Sequence, residues 1–160
     1  MQVPDSNSVL NETSLLLTIK SLKQKNKKIV FTNGCFDLLH VGHIRYLQQA
    51  RSLGDCLIVG VNSDKSVQIL KGPTRPIQSE NDRAEILAAL NAVDYTILFT
   101  EETPLELIKK IQPDFLVKGG DWKIPQIVGS DFVLSYGGCV RSLQFIDGQS
   151  TTAIIEKSQK

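Results

Sequence analysis

The sequence predicts an α/β fold: a doubly wound parallel sheet in a single domain, with an N-terminal helix ahead of it. Two observations predict it. From Lys28 onward, short apolar runs of strand length alternate with segments of helical period, the pattern of βαβ units joined by right-handed crossovers. The run Cys56–Val61 is apolar throughout, as a strand buried on both faces requires. In such a sheet the ligand crevice opens at the C-terminal ends of the first strands. The loop after the first strand is therefore where chemistry is to be sought.

Residues 1–10 are polar, carrying Pro4, Asp5, Ser6, Asn7 and Ser8, and are expected to fray. From Asn11 to Lys25, Leu15, Leu16, Ile19 and Leu22 recur at helical spacing. The Lys-rich run Lys23–Lys28 suits a solvated helix C-terminus better than a nucleic-acid patch. Lys28–Thr32 reads as a strand closed by Asn33-Gly34. The helix after it puts Ile44, Leu47, Ala50 and Leu53 on one face and stops at Gly54. Beyond the strand Cys56–Val61 comes a polar loop with Gly72, Pro73 and Pro76, then a helix Glu80–Val93 with Ile86, Leu87 and Leu90 turned inward. Strand Tyr95–Phe99, helix Pro104–Ile111 and strand Phe115–Val117 continue the alternation. An irregular segment follows, with a short helix near Ile124–Ile127, then strand Val140–Phe145 and a last helix from about Ser150. The expected division is a helical extension, 1–27, and the main domain, 28–160.

Composition narrows the function. The 160 residues carry 18 Lys+Arg against 17 Asp+Glu, a net charge of +1, which argues against a generic binder of nucleic acid or membrane surfaces. An anionic substrate must be held by a local basic cluster. Cys35, Cys56 and Cys139 are widely spaced and form no CxxC, so neither a disulfide framework nor a structural zinc site is expected. Reduced, mostly buried thiols in a cytoplasmic protein are the expectation. No apolar stretch approaches 18 residues and no basic-then-apolar leader is present, so no membrane span or signal peptide is expected.

The loop after the first strand reads Thr32-Asn33-Gly34-Cys35-Phe36-Asp37-Leu38-Leu39-His40-Val41-Gly42-His43, and it holds both histidines of the chain. Three residues apart on the first turn of a helix, His40 and His43 can point toward one spot. Gly42 leaves room for a ligand at the backbone, and the free N–H groups of a helix start attract phosphate. Two imidazoles around a glycine at this place favour catalysis over capping or core packing. Zinc is not favoured, because two His without a third ligand rarely suffice. No P-loop and no GxGxxG turn competes as a nucleotide motif.

Gly34–His43 resembles the GxFDxxHxGH signature of the cytidylyltransferase-like nucleotidyltransferases, which implies a Rossmann-like fold of the HxGH type. The resemblance implies that His40 and His43 contact nucleotide phosphates and stabilise transition-state charge. It also implies that Thr32, Asn33, Gly34, Phe36, Asp37 and Gly42 belong to the nucleotide site. Asp37 either supports the metal–nucleotide complex or fixes the loop. Further segments resemble one subgroup, the adenylyltransferase domain of bacterial ADP-heptose synthesis. These are Val61–Asp64, Leu70–Pro76, Leu116–Trp122 and Asp147–Thr152. In that context Lys71 is expected to assist catalysis and Arg75 to contact a substrate phosphate or lie in an exposed loop. Arg83 either reaches the substrate or forms a helical ion pair. Lys118, Gly119, Gly120 and Asp121 follow a strand end where paired glycines admit a flat base. Ser150, Thr151 and Thr152 precede the last helix, where hydroxyls cap the helix and bind phosphate. Related cytidylyltransferases read RTxGxST where this chain reads Phe145-Ile146-Asp147-Gly148-Gln149-Ser150-Thr151, so Lys71, Arg75 or Lys118 must stand in for the missing Arg.

The resemblance thus implies AMP transfer from ATP to a sugar 1-phosphate, D-glycero-β-D-manno-heptose 1-phosphate. Mg²⁺ would be carried mainly on nucleotide phosphates, with no dedicated protein metal site. The expected setting is a stand-alone cytoplasmic transferase, with room for a homodimer, working beside a separate sugar kinase and binding neither nucleic acid nor membrane. The alternatives are a CTP-dependent transferase acting on glycerol 3-phosphate or an alkanolamine phosphate, and a nucleotide-binding regulator without turnover.

Overall fold

The computed structural model describes residues 2–145 and 150–159. Six parallel strands form one sheet: β1 (Ser8–Leu10), β2 (Ile29–Gly34), β3 (Cys56–Asn62), β4 (Tyr95–Phe99), β5 (Phe115–Gly119) and β6 (Cys139–Leu143). Their order is β1-β4-β3-β2-β5-β6, so the chain reverses direction across the sheet at β2. The helices are α1 (Glu12–Gln24), α2 (Val41–Arg51), α3 (Asp64–Lys71), α4 (Glu80–Ala88), α5 (Leu105–Ile111), α6 (Ser130–Ser135) and α7 (Thr151–Ser158).

Period-two alternation in the central strands divides the core into two layers. Ile29 and Phe31 of β2, with Cys56 and Ile58 of β3, meet Leu15 and Ile19 of α1 and Leu107, Ile108 and Ile111 of α5. On the other face Val30, Leu57, Val59 and Val61 meet Tyr46, Leu47 and Ala50 of α2 and Ala84 and Leu87 of α4. Every residue of β3 is buried, as its unbroken apolar run predicts. Four helix starts are set by side chains that each accept from the third backbone N–H of the helix: Asn11, Ser63, Ser79 and Ser150.

Several expectations are corrected. Residues 8–10 do not fray; they add β1 to the sheet beside β4, and Leu10 is buried. The segment is tied down by Asn7, whose backbone N–H donates to Asp94 O at 2.7 Å and whose side-chain amide donates to Ala88 O at 2.9 Å. The polar stretch before Gly72 is not all loop: Ser63 caps α3, which runs to Lys71. Helix α4 ends at Ala88, short of Val93, and Ile86 points outward at 38% exposure, while Leu87 is buried as expected. The short helix near Ile124 is a single 3-10 turn, Ile124–Gln126, and α6 follows it where no helix was expected. Of the thiols only Cys56 is buried; Cys35 is intermediate and Cys139 exposed.

Leu15 carries α1 into the common core with 0% exposure, whereas its neighbour Leu16 is 49% exposed. Leu15→Ala is expected to lower the unfolding free energy by about 2–5 kcal/mol in denaturant titration. Leu16→Ala should change it by less than about 0.5 kcal/mol. Equal effects would mean that α1 is not part of the cooperative core.

Candidate active site

The cleft opens at the C-terminal ends of β2, β3 and β5, with a volume of about 480 Å³. Its floor is the loop that leaves β2. Gly34 has no room for a side chain, since a Cβ would lie 2.9 Å from the Phe36 ring, and Phe36 itself takes a left-handed φ of +47°. This tight turn delivers His40 to the N-cap of α2 in an extended conformation, and its side chain makes no capping hydrogen bond. The first N–H groups of α2, around the buried Gly42, therefore remain available to an anion.

His40 and His43 stack at 3.9 Å between ring centroids, 25° from parallel. Phe36 abuts His43 edge-on at 5.3 Å and Phe145 does so at 6.5 Å. The Nδ1 atoms of both histidines are buried and make no hydrogen bond among the described residues. Burial, followed by the charges of His40 and Lys71, pushes His43 down to about 4, and burial also lowers His40. Both shifts favour the uncharged ring, which keeps one N–H to donate.

Around this pair stand the cations. Lys71, at the end of α3, and Arg75 line the cleft. Asp37 holds the loop between them and α4. Its carboxylate, 1% exposed, accepts from Arg75 Nε at 2.6 Å, from Ile77 N–H at 2.8 Å and from Gln78 N–H at 3.0 Å. Burial alone would raise the Asp37 pKa, but the Gln78 and Ile77 amides and the Arg75 guanidinium outweigh it, and the net shift is downward. Of its two expected roles, Asp37 fills that of fixing the loop. Lys118, at the end of β5, lies 5.7 Å from the centroid of the Trp122 ring, and burial lowers its pKa. Gly119 lets the Phe145 ring lie directly against its backbone, where a Cβ would displace the ring. At the opposite wall Ser150 caps α7, Thr151 Oγ1 donates to Leu38 O at 2.9 Å, and Thr152 lines the cleft.

The structure thus brings together Asn33, Gly34, Phe36, Asp37, His40, His43, Lys71, Arg75, Lys118, Gly119, Ser150, Thr151 and Thr152. Five expected residues do not line the cleft, and Gly42, buried in the first turn of α2, is one of them. Thr32 is fully buried and shares a 2.5 Å hydrogen bond with the Tyr46 hydroxyl. Gly120, at φ +113°, donates its N–H to Leu143 O at 2.8 Å and shapes the turn, while Asp121 is exposed outside it. Arg83 neither reaches the substrate space nor pairs within its own helix: it is 1% exposed and bonds Asp64 of α3 at 2.9 Å. Asp147, Gly148 and Gln149 lie outside the described residues. Sequence reasoning missed Asn62, Glu102, Thr103 and Pro104, which line the cleft from the ends of β3 and β4. The rule that ligands sit beyond strand C-termini was the signal that could have found them.

A parallel sheet that reverses at β2, with an HxGH turn opening a helix at that point and lysines on both sides, defines an α/β nucleotidyltransferase. The chain belongs to the cytidylyltransferase-like family, whose model matches residues 31–157. It is 55% identical over 155 residues to the bifunctional protein HldE of Geotalea uraniireducens, covering 96% of this chain and 32% of that protein. It is 56% identical over 153 residues to the bifunctional protein HldE of Syntrophotalea carbinolica, covering 96% of this chain and 31% of that protein. The chain therefore spans about a third of the length of these curated relatives. Among solved structures it resembles the lipopolysaccharide core biosynthesis protein of Thermoplasma volcanium. The TM-score is 0.63 at 30% identity, over 77% of this chain and 99% of that one. No helix among the described residues is long and apolar enough to cross a membrane.

The neutral state of His43 has a consequence for stability. The folded protein resists protonating this ring down to about pH 4, whereas the unfolded chain takes up a proton near pH 6.5. Acid therefore favours the unfolded chain, and this contribution lowers stability as pH falls from about 6.5 toward 4. Unfolding free energies measured across that range should fall less steeply for His43→Gln than for the parent. Identical slopes would mean that His43 is not held uncharged.

Proposed function

We propose that this cleft transfers AMP from ATP to D-glycero-β-D-manno-heptose 1-phosphate, forming ADP-heptose for lipopolysaccharide core synthesis and releasing pyrophosphate. The observation that carries the transfer chemistry is the stacked His40–His43 pair at the open N-terminus of α2, with Lys71 and Lys118 lining the same cleft. The acceptor assignment is supported by the identity to the HldE proteins over nearly the whole chain and by the likeness to a lipopolysaccharide core biosynthesis protein.

An oxygen of the sugar phosphate attacks the α-phosphorus in line, and the bond from that phosphorus to the pyrophosphate oxygen breaks. A phosphate nucleophile is already ionised at neutral pH, so no side chain need remove a proton. The protein's part is to position two polyanions and to stabilise charge as it develops. The imidazole N–H groups and the α2 amides donate to phosphate oxygens, while Lys71 and Lys118 offset the charge of the reacting groups. The described residues contain no cluster of three His, Cys, Asp or Glu able to hold a metal, and the Asp37 carboxylate is already engaged by Arg75 and two amides. Mg²⁺ fits this cleft as an ion carried on the nucleotide oxygens, where it would neutralise phosphate charge. The proposed setting is the cytoplasm, with a sugar kinase supplying the 1-phosphate.

His40→Ala and His43→Ala are each expected to lower kcat by about 10²–10³-fold, the loss of one donor to a developing anion, with far smaller changes in nucleotide affinity. Single-turnover rates within threefold of the parent would remove the histidines from the mechanism. The substrates are tested by kcat/KM for ATP and CTP, each with heptose 1-phosphate and with glycerol 3-phosphate. ATP with heptose 1-phosphate is expected to give the highest value, and the opposite pairing would replace this reading.

A further inference from the structure

Arg83 heads the fully buried side chains by volume and lies outside the cleft, yet it is bonded to the segments that build it. Its Nε donates to Gln78 O at 3.1 Å, Nη1 to Cys35 O at 2.5 Å, and Nη2 to Asn62 O at 2.8 Å and Asp64 Oδ1 at 2.9 Å. These acceptors sit on four segments: the loop beyond Lys71 and Arg75, the loop leading to the histidines, the end of β3 and the first turn of α3. Gln78 is held from its other side as well, since its N–H donates to Asp37 at 3.0 Å, and Asp37 binds Arg75. The histidine loop and the Lys71–Arg75 arm are therefore joined twice, once through Asp37 and once through Arg83. Burying a guanidinium is costly unless its donors are satisfied. An apolar side chain would fill the space but could not hold four oxygens in fixed relation.

We propose that Arg83 is a positioning residue of the transfer reaction: it fixes the spacing between the His40–His43 pair and the Lys71–Arg75 arm through the Cys35 and Gln78 carbonyls. The proposal rests on the reading of Lys71 as a group that offsets substrate charge. Lysine cannot replace Arg83, because an ammonium on a flexible stem lacks the planar fork that spans these acceptors. A misplacement on the order of 1 Å in a site of this kind costs about 10²-fold in rate.

The test is Arg83→Lys in the parent and in Lys71→Ala, assayed with whichever nucleotide and acceptor the parent turns over. Failure of the heptose assignment then shows up separately, as a parent that uses another pair. Arg83→Lys is expected to lower kcat by about 10²-fold, leave the nucleotide Kd within about threefold, and unfold cooperatively well above the assay temperature. In Lys71→Ala the same substitution should lower kcat by less than about fivefold, because the arm it positions has already lost its charge. Amide exchange should rise together in residues 35–40 and in Ile77 and Gln78. If Arg83→Lys does not fold, Asp64→Asn loosens the same guanidinium from its half-exposed side and should show a smaller loss that also shrinks in Lys71→Ala. The proposal is overturned by a kcat within threefold of the parent, by losses that multiply in full with Lys71→Ala, by a silent Lys71→Ala, or by faster exchange confined to α4.

Discussion

The placement of β2 between β3 and β5 is the constraint on which the site depends. The chain builds outward from β2 through β3 and β4, then returns to lay β5 on the other side of β2 and β6 beyond it. At the C-terminal end of β2 the connections on either side diverge, and the gap between them is the cleft. Gly34 and Phe36 can make their tight turn because β2 is paired on both sides and fully buried through Thr32. The turn aims α2 so that its amides, and the two histidines on its first turn, face the space that the lysines border.

Charge in this space is arranged by burial as much as by residue type. Two protonated imidazoles stacked at 3.9 Å, with Lys71 nearby, would repel one another and the lysine. The aromatic edges of Phe36 and Phe145 shield the pair, and the proton is given up instead. The site thereby separates two jobs. Fixed positive charge comes from Lys71 and Lys118, and directional donation comes from uncharged rings and backbone amides. Arg75 adds little net charge, because its Nε is paired with the buried Asp37.

Much of this was legible in the sequence, for physical reasons. The parallel sheet followed from strand runs spaced by helices, and Tyr95–Phe99 was located to the residue as one of those apolar runs. The histidine turn was legible because Gly34, Gly42 and the two imidazoles are a local pattern. What stayed hidden depends on distant contacts. Three residues, Ser8–Leu10, are too few to show alternation, and they become a strand only through β4. Helix α3 carries Asp64, Lys65, Ser66, Gln68 and Lys71 on a short span, and its apolar Ile69 and Leu70 are exposed, so no inward stripe marked it. Arg83 sits one turn into a helix, where spacing alone cannot tell a surface ion pair from a buried hub.

Phe145 shows how one departure from a family pattern is absorbed. By its resemblance to the cytidylyltransferases, this chain places Phe145 where their RTxGxST segment begins. Its ring packs 5.4 Å from Tyr46 and 6.5 Å from His43, and it lies against the backbone of Gly119, where a Cβ would displace it. An arginine would have brought a charge beside His43; phenylalanine brings only low polarity, which favours the same uncharged ring by desolvation. Positive charge borders the cleft elsewhere, on Lys71 at the end of α3 and on Lys118 at the end of β5. Burial makes the Lys118 ammonium easier to deprotonate in the free protein, and an arriving polyphosphate would restore its preference for charge. A bound phosphate and the Lys118 ammonium would thus stabilise one another in the cleft.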